Sequence, residues 1–188
     1  MLDVEDANKT VYKMRAVIDT GAQDSFISKQ AVKDGKWIKS PVNISVGSFS
    51  EKSADGDSVE HRLKISVKGH KNDQPFVLYP LEVPHMAGSL IQPPMSESLI
   101  RNIKQHQPLA DPDAMVTETS ELHFQIIIGN DMANAVYQDI SYRYTSIFVL
   151  KNTVFGIVFS GPIPDFNIPR KTGLSVFSVS SMVTSQCI

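Results

Sequence analysis

Apolar and polar residues alternate in short runs along most of this chain, and a period of two predicts a mainly β protein. Tyr12, Met14, Ala16 and Ile18 alternate with Lys13, Arg15 and Val17, so a half-buried strand runs up to Asp19. Ser25–Ser28 is short and strand-like. Val42, Ile44 and Val46 alternate with Asn43 and Ser45. Val59, His61, Leu63, Ile65 and Val67 alternate with Glu60, Arg62, Lys64 and Ser66. Phe76–Val83, bounded by Pro75 and Pro84, is a further strand. The apolar run Leu122–Ile128 reads as a buried strand. Ser146–Leu150 and Thr153–Ser160 read as a hairpin about Lys151-Asn152.

Helices are few and short in the same pattern. Ser28 is placed to cap a helix over Lys29–Asp34 that Gly35 ends. Ser96 is placed to cap one over Glu97–Lys104, with Leu99, Ile100 and Ile103 on one face. Asn130 or Asp131 is placed to cap one over Met132–Tyr137. Trp37 and Ile38 are expected in the core, and Lys68–Gln74 as a turn. The stretch from His85 to Glu121 is punctuated by prolines and long enough to need structure or a role of its own.

Composition narrows the class. With 188 residues, 41% hydrophobic and 20% charged, one folded domain is expected over residues 1–161. The tail, 162–188, is expected to be partly disordered or to supply a strand at a dimer edge. A net charge of −2 supplies no basic face for nucleic acid and no polybasic segment for a membrane surface. No apolar run approaches the ~20 residues that span a bilayer, and the acidic first residues lack a signal-peptide core. The single Cys187 cannot form an intrachain disulfide and fits a reducing, cytoplasmic compartment. The five histidines stand in no metal-ligand spacing, and neither a Gly-rich phosphate loop nor a Gly-x-Ser-x-Gly elbow occurs. Neither metal nor organic cofactor is expected.

Candidate chemistry gathers in Ala16–Ser25, Ala-Val-Ile-Asp-Thr-Gly-Ala-Gln-Asp-Ser. An apolar strand end runs directly into Asp19, and a carboxylate in such a setting has to be satisfied. Gly21 has no side chain, so backbone N–H groups can close on the carboxylate. Thr20 adds a hydroxyl that donates and accepts. An ordinary Asp-Gly type turn after a strand has the same composition. What separates the two readings is the context: Phe26 and Ile27 re-enter a sheet, and Ile126-Ile127-Ile128-Gly129-Asn130-Asp131 supplies a second landmark downstream. Between two strands, Gly47–Gly56 is rich in serine and glycine with one aromatic, and reads as a solvated hairpin loop or as a flap over a bound peptide.

With these residues in view, the chain resembles the aspartic protease domain of Bel/Pao-type LTR retrotransposon polyproteins, a retropepsin-like group. Four ordered landmarks carry the resemblance from about Tyr12 to Gly161: Asp19-Thr20-Gly21-Ala22, Leu109-Ala110-Asp111-Pro112, Ile127-Ile128-Gly129-Asn130-Asp131, and Asn152-Thr153-Val154-Phe155-Gly156-Ile157-Val158-Phe159-Ser160-Gly161. The family often has Asp-Ser-Gly-Ser at the first landmark, which keeps the hydroxyl, and a Trp where Ile157 stands.

The resemblance implies a retropepsin-like acid protease barrel with a flap hairpin and one or two short helices. It implies Asp19 as the catalytic residue, with Thr20, Gly21 and Ala22 forming the active-site loop. It implies substrate contacts from Gln23, Asp24, Gly47, Ser48 and Phe49, and a support beneath the loop from Ile128 and Gly129. Only one catalytic triplet is present, so the second carboxylate must come from an identical subunit across a two-fold axis. Polyprotein cleavage by a homodimer through the active-site face is the expectation. A catalytically silent or domesticated domain that dimerises or binds peptides is the alternative.

Overall fold

The computed structural model describes residues 1–46, 57–69, 71, 74–84, 86, 89–106 and 108–164. Gly47–Gly56, and with it Gly47, Ser48 and Phe49, lies outside the described residues, as does the tail from residue 165.

β1 (Leu2–Glu5) and β2 (Val11–Met14) form a hairpin, with Leu2 opposite Met14. Asp6 builds its turn. The Asp6 carboxylate accepts the backbone N–H groups of Asn8 and Thr10 at 2.9 Å each, and that of Lys36 at 3.0 Å. β3 (Ala16–Ile18) and β4 (Phe26–Ser28) flank the acidic loop. The single strand expected from Tyr12 to Ile18 is therefore broken at Arg15. There the backbone N–H donates to the Gln125 side-chain oxygen at 2.8 Å instead of to a ladder partner.

α1 (Lys29–Val32) is a single turn, and Ser28 precedes it without a side-chain capping bond. β5 (Ile38–Val46) and β6 (Asp57–Lys68) pair from Ile38–Lys64 out to Val46–Asp57. Their register shifts between Pro41 and Ile44, where proline has no N–H to give the ladder. Trp37 is half-buried, with its indole N–H donating to the Val32 carbonyl at 2.7 Å. Ile38, expected in the core, is 55% exposed because it sits at the outer end of β5.

β7 (Phe76–Leu78) and β8 (Leu81–Val83) split the one strand expected over Phe76–Val83. β7 pairs with β6 at Ile65–Val67, while β8 runs parallel to β4. β9 (Ser89–Gln92) pairs with β10 (Ser120–His123), so the long prolyl stretch carries structure of its own. It also holds α2 (Glu97–Ile103), where Ser96 caps by accepting the Leu99 N–H at 3.3 Å as expected. β11 (Ile126–Ile128) is separate from β10, so the expected strand Leu122–Ile128 divides at Gln125.

α3 (Asn130–Val136) starts two residues earlier than expected. Asn130 and Asp131 lie inside it, and Gly129 is the residue before its first turn. β12 (Tyr137–Arg143), β13 (Val149–Thr153) and β14 (Gly156–Ser160) form a three-stranded sheet. Its last hairpin turns at Val154-Phe155 rather than at Lys151-Asn152. Thr153 fixes that turn: its hydroxyl donates to the Gly156 carbonyl at 2.6 Å and accepts the Phe155 N–H at 3.1 Å. Gly156 sits at φ +125°, a conformation that L side chains rarely adopt.

The protein is mainly β, and its nine-stranded sheet curls into a nearly closed barrel in the order β2-β1-β6-β8-β4-β11-β3, with β5 and β7 also on β6. The described residues form three apolar clusters. The largest fills the barrel with Val4, Ile27, Leu63, Ile65, Ile126 and Ile128, all fully buried. A second joins Leu99 and Ile103 of α2 with Phe148, Leu150 of β13 and Phe159 of β14. The smallest, around Ala22, Phe26, Val59, Leu81 and Val83, lies against the acidic loop. No helix among the described residues is long and apolar enough to cross a membrane.

Candidate active site

Strand β11 runs between the two strands that flank Asp19. It pairs parallel with β3, Ile126 beside Ala16 and Ile128 beside Ile18, and antiparallel with β4, Ile126 beside Ile27. The loop from Asp19 to Ser25 therefore arches over the end of β11. Isoleucine at 126, 127 and 128 suits that middle position: Ile126 and Ile128 are fully buried, and Ile127 is half-buried.

Hydrogen bonds fix the arch along its length. The Asp19 N–H donates to the Ile128 carbonyl at 2.9 Å, and the Ala22 N–H to the Asp19 carbonyl at 3.2 Å. The Gly21 N–H donates to Asp19 Oδ1 at 2.9 Å. On the far limb, the N–H groups of Asn130 and Asp131 donate to the carbonyls of Ala22 and Gln23 at 2.8 and 3.2 Å. Gly129 stands where the two segments are closest. A Cβ added there would lie 2.2 Å from the Asp24 carbonyl oxygen, so only glycine fits.

Ser25 ties the same place from within. Its side chain is fully buried. The hydroxyl accepts the Gly129 N–H at 3.0 Å and donates to Asp131 Oδ1 at 2.7 Å. That bond engages the Asp131 carboxylate, for which the sequence suggests a capping role. Gly129 and Asp131 stand out in the sequence, whereas Ser25, which joins them, does not. A serine opening an apolar strand reads as an ordinary turn residue.

The expected site residues separate by exposure. Asp19 is half-buried, Thr20 and Gly21 are exposed, and Ala22 is buried. Gln23 is exposed and contributes its carbonyl to the arch. Asp24 is half-buried and accepts from Arg62 Nη2 at 3.0 Å, while Arg62 Nη1 donates to the Tyr79 carbonyl at 2.9 Å. This joins the loop to β6, one arm of the hairpin that leads to Gly47–Gly56. In the sequence Arg62 is one of several outward polar positions on a strand, so its role is visible only in three dimensions.

The local electrostatics follow from this geometry. Both neighbouring carboxylates have partners, Asp24 in Arg62 and Asp131 in Ser25, whereas Asp19 holds one N–H of its own turn. Burial pushes the Tyr137 phenol up, and the charge on Asp19 adds to that push. The Lys151 ammonium stands 5.0 Å over the Tyr137 ring. No group of three or more His, Cys, Asp or Glu suited to a metal occurs among the described residues. A carboxylate at an exposed, braced turn can act as a base or hydrogen-bond to a ligand.

Compared with protein-family models, with curated proteins and with solved structures, the chain matches none.

Proposed function

We propose that this chain is one half of a homodimeric aspartic endopeptidase of the retropepsin type, cleaving a polyprotein of the Bel/Pao retrotransposon kind. The observation that carries the reading is the arch itself. The turn Asp19-Thr20-Gly21 stands over a strand threaded between its own two limbs, with Thr20 and Gly21 exposed and the Asp19 carboxylate held by the Gly21 N–H.

In this reading two copies meet at the exposed tip and bring their Asp19 side chains together. Thr20 of each copy is the hydroxyl at hand to brace the pair. Two such close carboxylates share one proton, because both cannot ionise cheaply. The ionised member takes a proton from a water. That water's oxygen attacks the scissile carbonyl carbon while the protonated member donates to the carbonyl oxygen. Collapse of the tetrahedral species breaks the C–N bond, and the proton taken from water passes to the leaving amine.

The test is Asp19→Asn assayed on a peptide library at acid pH. The substitution keeps size and the Gly21 contact but cannot provide the base. Cleavage is expected to vanish, with thermal stability within about 1 kcal/mol of wild type because the side chain is only half-buried. Undiminished cleavage by Asp19→Asn overturns the proposal. A variant that still dimerises and binds peptide, beside a wild type that never cleaves, favours the silent-module alternative.

A further inference from the structure

Open aromatic rings gather where the end of α2 meets the turn between β12 and β13. The His106 ring stacks on Tyr142, with centroids 4.3 Å apart. The Asn102 side-chain amide donates to the Tyr144 hydroxyl at 3.0 Å. Tyr144 meets the buried Phe148 edge-on, so both tyrosines are held beside the second apolar cluster. Their surfaces stay open nonetheless. Tyr142 is 50% exposed and Tyr144 36%, with Ile147 at 63% in the same turn. Single exposed apolar residues are ordinary, but a braced group of them marks an interaction surface.

The net charge of −2 is unevenly placed around this surface. The segments 98–108 and 140–150, which form it, hold Arg101, Lys104 and Arg143 and no Asp or Glu. Glu97 and Asp139 stand just outside them. Arg101 and Lys104 are exposed and lie one turn apart at the end of α2. Arg101 has no ion pair among the described residues. Arg143 lies on the reverse of the pleat from Tyr142. Its Nη1 donates to the Ser146 carbonyl at 2.8 Å, which holds the guanidinium at the turn. Since β12 is the outermost strand of its sheet, a ligand crossing that edge meets both Tyr142 and Arg143. Cations beside open rings match a polyanion that carries flat rings of its own, as single-stranded nucleic acid does. In a duplex the base faces are already stacked on each other, which leaves the phosphates alone to be bound. A proline-rich peptide also docks on tyrosines but makes no use of the cations.

We propose that this face binds single-stranded nucleic acid without regard to sequence. Bases stack on Tyr142 and Tyr144, and phosphates are met by Arg101, Lys104 and Arg143. The inference stands without proteolysis, since it uses no property of the Asp19 carboxylate.

The experiment titrates the full-length chain into fluorescein-labelled oligo-dT and oligo-U of about a dozen nucleotides and reads anisotropy at several salt concentrations. Dissociation constants of about 10–100 μM are expected at low salt, weakening steeply as salt rises. Tyr142→Leu keeps an apolar cover over the cluster but offers no ring, and should weaken binding about tenfold. Arg101→Gln, on the exposed face of α2, should flatten the log–log salt dependence by about 0.7. Unchanged urea midpoints show that both variants fold. A preference for oligo-U or for oligo-dT supports the face in either case and names the nucleic acid. Equal binding of a duplex of the same length, or undiminished binding by Tyr142→Leu, overturns the stacking and with it the proposal. No saturable binding of either oligonucleotide overturns it outright, and a proline-rich peptide bound in their place assigns the face to protein instead.

Discussion

The N–H of Asp19 donates to the carbonyl of Ile128 at 2.9 Å, joining residues more than a hundred positions apart. This bond continues the parallel ladder of β3 and β11 by one step, beyond Ile18 beside Ile128. The carboxylate therefore stands where the ladder ends and the arch begins. Its position is set by the sheet and not by a free loop.

Removing the hydroxyl beneath the arch is expected to be expensive. Ser25→Ala leaves the Gly129 N–H without its acceptor in a fully buried place and frees Asp131 from its only donated hydroxyl bond among the described residues. A loss of about 1–3 kcal/mol follows from an unsatisfied buried donor. Urea denaturation monitored by tryptophan fluorescence measures it. An unchanged midpoint would mean that the hydroxyl bonds carry no stability.

Gly129→Ala is expected to be worse. The added methyl meets backbone on two sides, the Asp24 carbonyl at 2.2 Å and the Ala22 carbonyl at 3.0 Å, and neither can swing aside as a side chain does. About 3 kcal/mol or more of stability is expected to be lost. By contrast Ala135→Gly, on the exposed face of α3, should lose only about 1 kcal/mol through helix propensity. Equal effects of the two changes in thermal denaturation would contradict the close approach.

Asp6 gives the chain a pH dependence of known sign. The backbone N–H of Lys36, followed by those of Thr10 and Asn8, holds the Asp6 carboxyl below its ordinary value. A carboxyl depressed in the folded state contributes stability that is fully present above its unfolded value of about 3.9. That contribution is lost as pH falls through the lower folded value. The stability gap between wild type and Asp6→Asn should therefore be widest near neutrality and close below about pH 4. Urea midpoints measured across that range decide it, and a gap independent of pH would contradict the assignment.

Much of this architecture is legible in local pattern. The strand before Asp19, the run of isoleucines before Gly129 and the capped helix after Ser96 all follow from alternation and capping chemistry. What escapes is what depends on distant partners. Arg15, Pro80 and Gln125 each interrupt an apolar run that reads as one strand, because their backbone bonds go to other segments. β1 has the alternation Leu2-Asp3-Val4-Glu5, but four residues in an acidic stretch give little periodicity to read. β12 is exposed at Tyr142 and Arg143 and shows no clear apolar face in sequence. At the site, Asp19 and Gly129 are marked by composition, whereas Ser25 and Arg62 matter only because β11 and β6 come back to meet the loop.

The central claim is that Asp19 is half of a dyad completed by a second copy, and inhibitor stoichiometry tests it most directly. A statine-type peptide mimics the tetrahedral species and binds tightly only to an assembled pair of carboxylates. Calorimetric titration of the full-length chain should end at one inhibitor for every two chains, with no binding to Asp19→Asn. An end point of one inhibitor per chain, or equal binding to Asp19→Asn, would contradict the account.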